Sequence, residues 1–232
     1  MERFDDAETA ARALAGALEA RLRAGLARRG RASLAASGGS TPERTYQLLS
    51  GADLDWANVT VVLADERWVE PGRAGSNETF LRTALLAGPA EAARFIALKT
   101  DAASPADGLE AIEQRLAGAP WPLDAAVLGM GADGHVLSWF PDAAGLDAAL
   151  DRDGPRAAAI TAEPSDATGP FTERATLTLA ALKGVGLCAL LISGPDKRAA
   201  WRAAAGPGRV SAMPVRALMR DPGLDLQTYW WP

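Results

Sequence analysis

One histidine and one cysteine occur among 232 residues, and each scarcity excludes something. A single cysteine, Cys188, cannot form an intrachain disulfide, and its setting in the apolar run GLCALLIS fits a reducing compartment. Together the two residues supply too few nitrogen and sulfur ligands for a zinc site. Positive charge is also short. Lys and Arg total 24 against 29 Asp and Glu, giving a formal net charge of −5 and a pI near 5.0. That balance argues against nucleic acid or an anionic membrane surface as a partner. No apolar run reaches roughly 18 residues. The N-terminus, MERFDDAETAARALAGALEARL, is charged from its second residue, so neither a membrane span nor a signal peptide is expected. The expectation is a cytoplasmic protein without a membrane or nucleic-acid partner.

What remains is the composition of a folded domain, 48% hydrophobic and 23% charged. A chain of this length buries about 70% of its unfolded surface. With no internal repeat and no long Pro/Gly linker, residues 1–232 are expected to form a single domain. Leu14, Leu18, Leu22 and Leu26 mark a first helix that Gly30 stops. Strand-like ASLAA follows, then SGGSTP and a helix beginning at Pro42. The pattern continues with the buried run VTVVLA, a helix capped by Ser76, a short strand at RFIAL, a helix through ADGLEAIEQRLAG and the buried run DAAVLGM. Further strands are read at RATLTL and GLCALLIS, with a helix at PDKRAAWRAA. EPSDATGPFTER breaks the rhythm and reads as an excursion, and the C-terminal Tyr229-Trp230-Trp231 reads as packing. Alternating buried strands and helices predict an α/β fold with a mainly parallel sheet covered on both faces.

Ligands of an open parallel sheet bind at the carboxyl ends of its strands. Four polar segments directly follow predicted strands and are read as loops: SGGSTP, DERW, GADGH and SGPDK. In the first, Gly38 and Gly39 permit close backbone approach, while Ser40 and Thr41 add hydroxyls at a helix N-terminus. That is an anion site of N–H groups and helix dipole, with plain helix capping as the competing reading. DERW supplies Asp65 and Arg67, whose planar fork suits a phosphate, although a surface ion pair would look the same. Lys197 in SGPDK carries the same two readings, and Arg174 opens a strand where a charge costs little.

GMGADG satisfies GxGxxG, but it does not open the first βα unit. The acids about 20 residues on, Asp151 and Asp153, lie in a Gly/Pro-punctuated loop and not at a strand end. No nicotinamide and no other cofactor is expected. His135 directly follows these glycines, with Asp133 beside it. Imidazole is the side chain whose ordinary pKa, about 6.5, suits a general base near neutrality. A serine-hydrolase nucleophile elbow is absent. Metal-free activation of water is the chemistry left.

In this order, SGGSTP, LADERWV followed by SNETFLRTALL, LGMGADGH with SWFP behind it, RATLTLAAL and the SGPDK lysine resemble the 6-phosphogluconolactonase family. Its superfamily also holds the glucosamine-6-phosphate deaminases. The resemblance covers most of the chain. It implies a Rossmann-like three-layer α/β/α fold and cofactor-free hydrolysis of 6-phosphoglucono-1,5-lactone in the oxidative pentose phosphate pathway. The partner is then a small phosphosugar lactone, and the protein a monomer or weak homodimer. The resemblance makes His135 the base that activates water. It gives phosphate and sugar contacts to Gly38, Gly39, Ser40, Thr41, Arg67 and Lys197, and less securely to Arg174. Asp65 either orients the histidine or binds the sugar, with Asp133 as the competing orienter. Asn77 matches the family's Ser-Asn pair.

One stretch departs from the family, which continues Thr-Ala-Ser-Leu-Phe-Pro after its Gly-His, where this chain has Val136 to Pro141. Val136 removes a hydroxyl near the base. The deaminase branch continues Ile-Ala-Phe-Asn-Glu-Pro, and here Phe140 stands in place of that glutamate. The alternatives are a deaminase-like isomerase and a sugar-phosphate binder without catalysis.

Overall fold

The computed structural model describes residues 1–232. Its first half runs β1 (Glu2–Arg3), α1 (Ala7–Arg29), β2 (Ala32–Ala36), α2 (Glu43–Ser50), β3 (Val59–Leu63), β4 (Asp65–Arg67), α3 (Asn77–Ala84), β5 (Arg94–Ile96) and α4 (Leu109–Leu116). The second half runs β6 (Ala125–Gly129), α5 (Leu146–Leu150), β7 (Ala157–Thr161), β8 (Glu173–Leu177), α6 (Leu179–Leu182), β9 (Cys188–Ser193), α7 (Gly194–Ala205), α8 (Val215–Arg220) and β10 (Leu226–Trp231). No helix is long and apolar enough to cross a membrane.

Seven strands form a parallel sheet in the order β1-β10-β9-β6-β2-β3-β5, flanked by helices in a three-layer α/β/α arrangement. Strands β2 and β3 are buried at every residue, and so are the first four residues of β6, which accounts for the continuous apolar runs of the sequence. Helix α1 presents Leu14, Leu18 and Leu22 to this core. Asp6 caps its start, accepting from Thr9 N at 2.7 Å, and Gly30 ends it in the left-handed region at φ 67°. From β2 the chain steps outward to β3 and β5. It then returns to the opposite side of β2 as β6 and steps outward again to β9 and β10. The loops after β2 and β6 therefore leave in opposite directions and open a crevice at the carboxyl ends of the strands.

A second sheet, β4-β8-β7, is antiparallel. Here the structure corrects the sequence reading. DERW is not a loop, because Asp65–Arg67 pairs with Arg174–Thr176, Arg67 lying opposite Arg174. RATLTL forms β8 in this small sheet and not in the main one. A three-residue charged strand has no periodicity of its own, and only its partner reveals it. The Tyr229-Trp230-Trp231 run lies in β10, with Tyr229 and Trp230 buried and Tyr229 stacked on Phe4 at 5.6 Å. Cys188 is buried in β9, where burial, aided by the Asp225 charge, pushes its thiol up to about 12.

Asp124, just before β6, ties the sheet to the end of α1. Its carboxylate accepts from Ser33 N at 2.9 Å and pairs with Arg29. Asp124→Ala strands the Arg29 charge and a buried strand N–H. It should lower stability by about 2–3 kcal/mol, read as a lower urea midpoint at unchanged m-value.

Candidate functional site

Several segments meet at the crevice. The first is the turn after β2. Ser37 is anchored at both ends: its N–H donates to Val127 O at 3.1 Å, and its carbonyl accepts from Tyr46 Oη at 2.9 Å. Beyond it the N–H groups of Gly38, Gly39, Ser40 and Thr41 donate to nothing within the chain. Helix α2 has no side-chain cap, so Ser40 and Thr41 are not spent on capping. Gly38 has no room for a side chain, because a β-carbon there would overlap Asn77. The result is a curved row of free donors next to a helix N-terminus, the arrangement that holds a phosphate.

The second segment, after β6, carries the imidazole. A turn with Gly134 at φ 83° brings His135 Nδ1 within 2.6 Å of Asp133 Oδ1, which also accepts from His135 N at 3.1 Å. A β-carbon on Gly131 would collide with both side chains, so the dyad needs glycine at its back. Burial works to raise the Asp133 carboxyl. The hydrogen bond and charge of His135 outweigh it and hold the group below its ordinary value. An ionised Asp133 fixes the imidazole proton on Nδ1 and leaves Nε2 as the acceptor. The Phe140 ring packs on the imidazole with centroids 4.5 Å apart.

Of the two candidate partners, Asp133 is the one that touches the histidine. Asp65 lines the same cleft but accepts from Ser138 Oγ at 2.7 Å. Val136, at the position of the missing hydroxyl, is fully buried and bridges Met130 and Trp139.

Cations line the other walls. Arg67 donates to Gly75 O at 2.6 Å through one terminal nitrogen, and its buried Nε has no partner. Lys197, in the first turn of α7, makes no hydrogen bond or ion pair, and burial lowers its amine below the ordinary value. Arg174 is the surprise. It is 3% exposed and not at a solvated strand end. Its Nε donates to Phe171 O at 2.7 Å and a terminal nitrogen to Thr168 O at 3.0 Å, while its guanidinium lies over Phe140 at 5.1 Å. Burial pulls it down to about 10; the Asp65 charge opposes the fall and the Arg67 charge adds to it. Arg174 thus straps the 162–172 excursion, whose Ala167 reaches the cleft.

The cleft has a volume of about 200 Å³ and is lined by Gly38, Gly39, Thr41, Asp65, Arg67, His135, Arg174 and Lys197 among others. Ser40 and Asp133 stand outside its lining; Asp133 acts from behind the imidazole. Sequence reasoning missed Phe140 as a packing face, Ser138 as the partner of Asp65 and Leu137, which lines the cleft at φ 56°. No local pattern marks these three, since each depends on the turn after His135. The amides of the GADGH turn are partly occupied. Gly131 N donates to His135 O and Gly134 N to Gly131 O, at 3.0 and 3.1 Å. No group of three or more His, Cys, Asp or Glu side chains is gathered to hold a metal ion.

The family model of glucosamine-6-phosphate isomerases/6-phosphogluconolactonase matches residues 5–230. A 6-phosphogluconolactonase of Rhizobium meliloti is 42% identical over 100% of this chain and 98% of its own. One from Pseudomonas aeruginosa is also 42% identical, over 96% of this chain and 90% of its own. The crystal structure of a 6-phosphogluconolactonase from Shewanella baltica superposes with a TM-score of 0.94 at 36% identity, covering 100% of this chain and 97% of that one.

The single imidazole gives an unambiguous spectroscopic handle. In its neutral form the Nδ1–H tautomer should dominate nitrogen-detected NMR spectra of the native protein. Asp133→Ala should release a mixture of both tautomers without loss of fold. A native spectrum dominated by Nε2–H would contradict the assigned dyad.

Proposed function

The chain belongs to the glucosamine-6-phosphate isomerase/6-phosphogluconolactonase family, and on that premise we propose that it hydrolyses 6-phosphoglucono-1,5-lactone with His135 as general base. The reaction belongs to the oxidative pentose phosphate pathway. One observation carries the residue assignment: His135, paired with Asp133 through Nδ1, shares a cleft with Gly38, Gly39 and Thr41, whose backbone N–H groups are unused, and with an unpaired lysine.

The substrate phosphate sits on the N–H groups of residues 38–41, with Arg67 and Lys197 closing on its charge. Binding energy from this remote group holds the lactone carbonyl near His135. Water attacks that carbonyl carbon as His135 Nε2 takes its proton, and Asp133 stabilises the imidazolium. The tetrahedral intermediate then expels the ring oxygen, which receives the proton from His135 and leaves as a hydroxyl. The product is the open-chain 6-phosphogluconate. Asp65, held by Ser138, is left to accept from a sugar hydroxyl. Phe140 against the imidazole supplies no carboxylate, which sets the site apart from the deaminase-like alternative.

His135→Asn should lower kcat by ~10²–10⁴ with KM changed far less. The acid limb of the native kcat/KM profile reflects protonation of the base, so it should disappear in the variant. Near-native turnover after background hydrolysis is subtracted would end the general-base assignment.

Arg67→Ala and Lys197→Ala should each raise KM by the equivalent of about 1.5–3 kcal/mol, the scale of a charge-assisted hydrogen bond. Gluconolactone without phosphate should be a poor substrate, insensitive to either change. Equal losses on both lactones would remove these residues from the phosphate site.

A further inference from the structure

The most deeply buried carboxyl group of the chain, Glu66 on β4, has no part in the mechanism above. Four donors converge on it. Oε1 accepts from Arg67 N at 2.9 Å and Asn77 N at 2.7 Å; Oε2 accepts from Glu78 N at 2.8 Å and Ser76 Oγ at 3.1 Å. Three of these donors belong to the start of α3, where the first N–H groups have no acceptor within the helix. Burial pushes the carboxyl up to about 7, against the pull of the Asn77 and Glu78 amides and with the Asp65 charge adding to the rise.

Asn77 then reaches in two directions. Its Nδ2 donates to Asp65 O at 2.9 Å, and its side chain fills the space where a β-carbon of Gly38 would stand. A continuous series of contacts thus runs from Glu66 through the α3 N-terminus to the row of free N–H groups. We propose that Glu66 is a positioning residue for phosphate: by holding the start of α3 it keeps Asn77 wedged against Gly38 and so sets the curvature of residues 38–41. This rests on reading that turn as the phosphate cradle. Only a carboxylate has two oxygens able to accept all four donors; the amide of a glutamine would turn its NH₂ toward two of them. The role is indirect, since Glu66 does not line the cleft.

The test compares native protein with Glu66→Gln near pH 8, about a unit above the Glu66 titration. Kd for inorganic phosphate is measured by calorimetry, and kinetics with the phosphorylated and unphosphorylated lactones. Kd and the KM of the phosphorylated lactone should both rise about tenfold, the scale of a single hydrogen bond weakened by a shifted cradle. Its kcat should stay within about threefold, and the unphosphorylated lactone should be unaffected. Unchanged phosphate affinity, or equal losses on both lactones, overturns the proposal.

Asn77→Ala, with Glu66 intact, carries the test if Glu66→Gln does not fold. It should reproduce the phosphate defect, and combining the two should cost no more than either alone. An Asn77→Ala protein with native phosphate affinity, or fully additive losses, breaks the proposed series. If native protein binds phosphate yet turns over neither lactone, the reading of the reaction fails, while the phosphate titrations still decide the role of Glu66.

Discussion

The chain reverses direction on either side of β2 and β6, and the site depends on that reversal. Two adjacent parallel strands whose continuations leave to opposite sides cannot close over their own carboxyl ends. Into that gap the turn after β2 brings free N–H groups and the turn after β6 brings an imidazole. Neither turn could do so with ordinary residues. Gly38 yields its side-chain volume to Asn77, and Gly131 yields its own to the His135–Asp133 pair.

The small antiparallel sheet solves a second problem. A chain of net charge −5 attracts no anion by its overall field, so positive charge has to be concentrated locally. Pairing β4 with β8 sets Arg67 directly opposite Arg174, a like-charge placement that is unfavourable in isolation. Backbone carbonyls relieve it: Gly75 accepts from one guanidinium, Phe171 and Thr168 from the other. The two arginines thereby divide their duties. Both line the cleft, Arg67 with one buried guanidinium nitrogen left unpartnered, while Arg174 also braces the excursion and covers Phe140.

The main sheet was legible in the sequence because its strands are buried on both faces and read as unbroken apolar runs. VTVVLA and DAAVLGM are examples, and the glycine-rich turns behind them follow from strand polarity. Asp65–Arg67 was not legible as a strand, because three charged residues have no period and the pairing partner lies about a hundred residues away. His135 stood out by scarcity and by its turn. Its partner could not be chosen between Asp65 and Asp133 without knowing which side of the ring each occupies. The packing of Phe140 and the four-donor environment of Glu66 are set entirely by tertiary contacts, which spacing along a chain does not encode.

Strand β10 lies between β1 and β9, so residues 2–3 find their partners only in residues 229–230. During synthesis the first strand must wait for residues 226–231 to leave the ribosome before it can add to the sheet. Until residues 226–231 arrive, β9 presents an unpaired apolar edge next to the strand that leads into the His135 turn. Completion of the sheet is therefore a late, long-range event. The Phe4–Tyr229 stack, joining residues 225 positions apart, registers that the last strand has arrived.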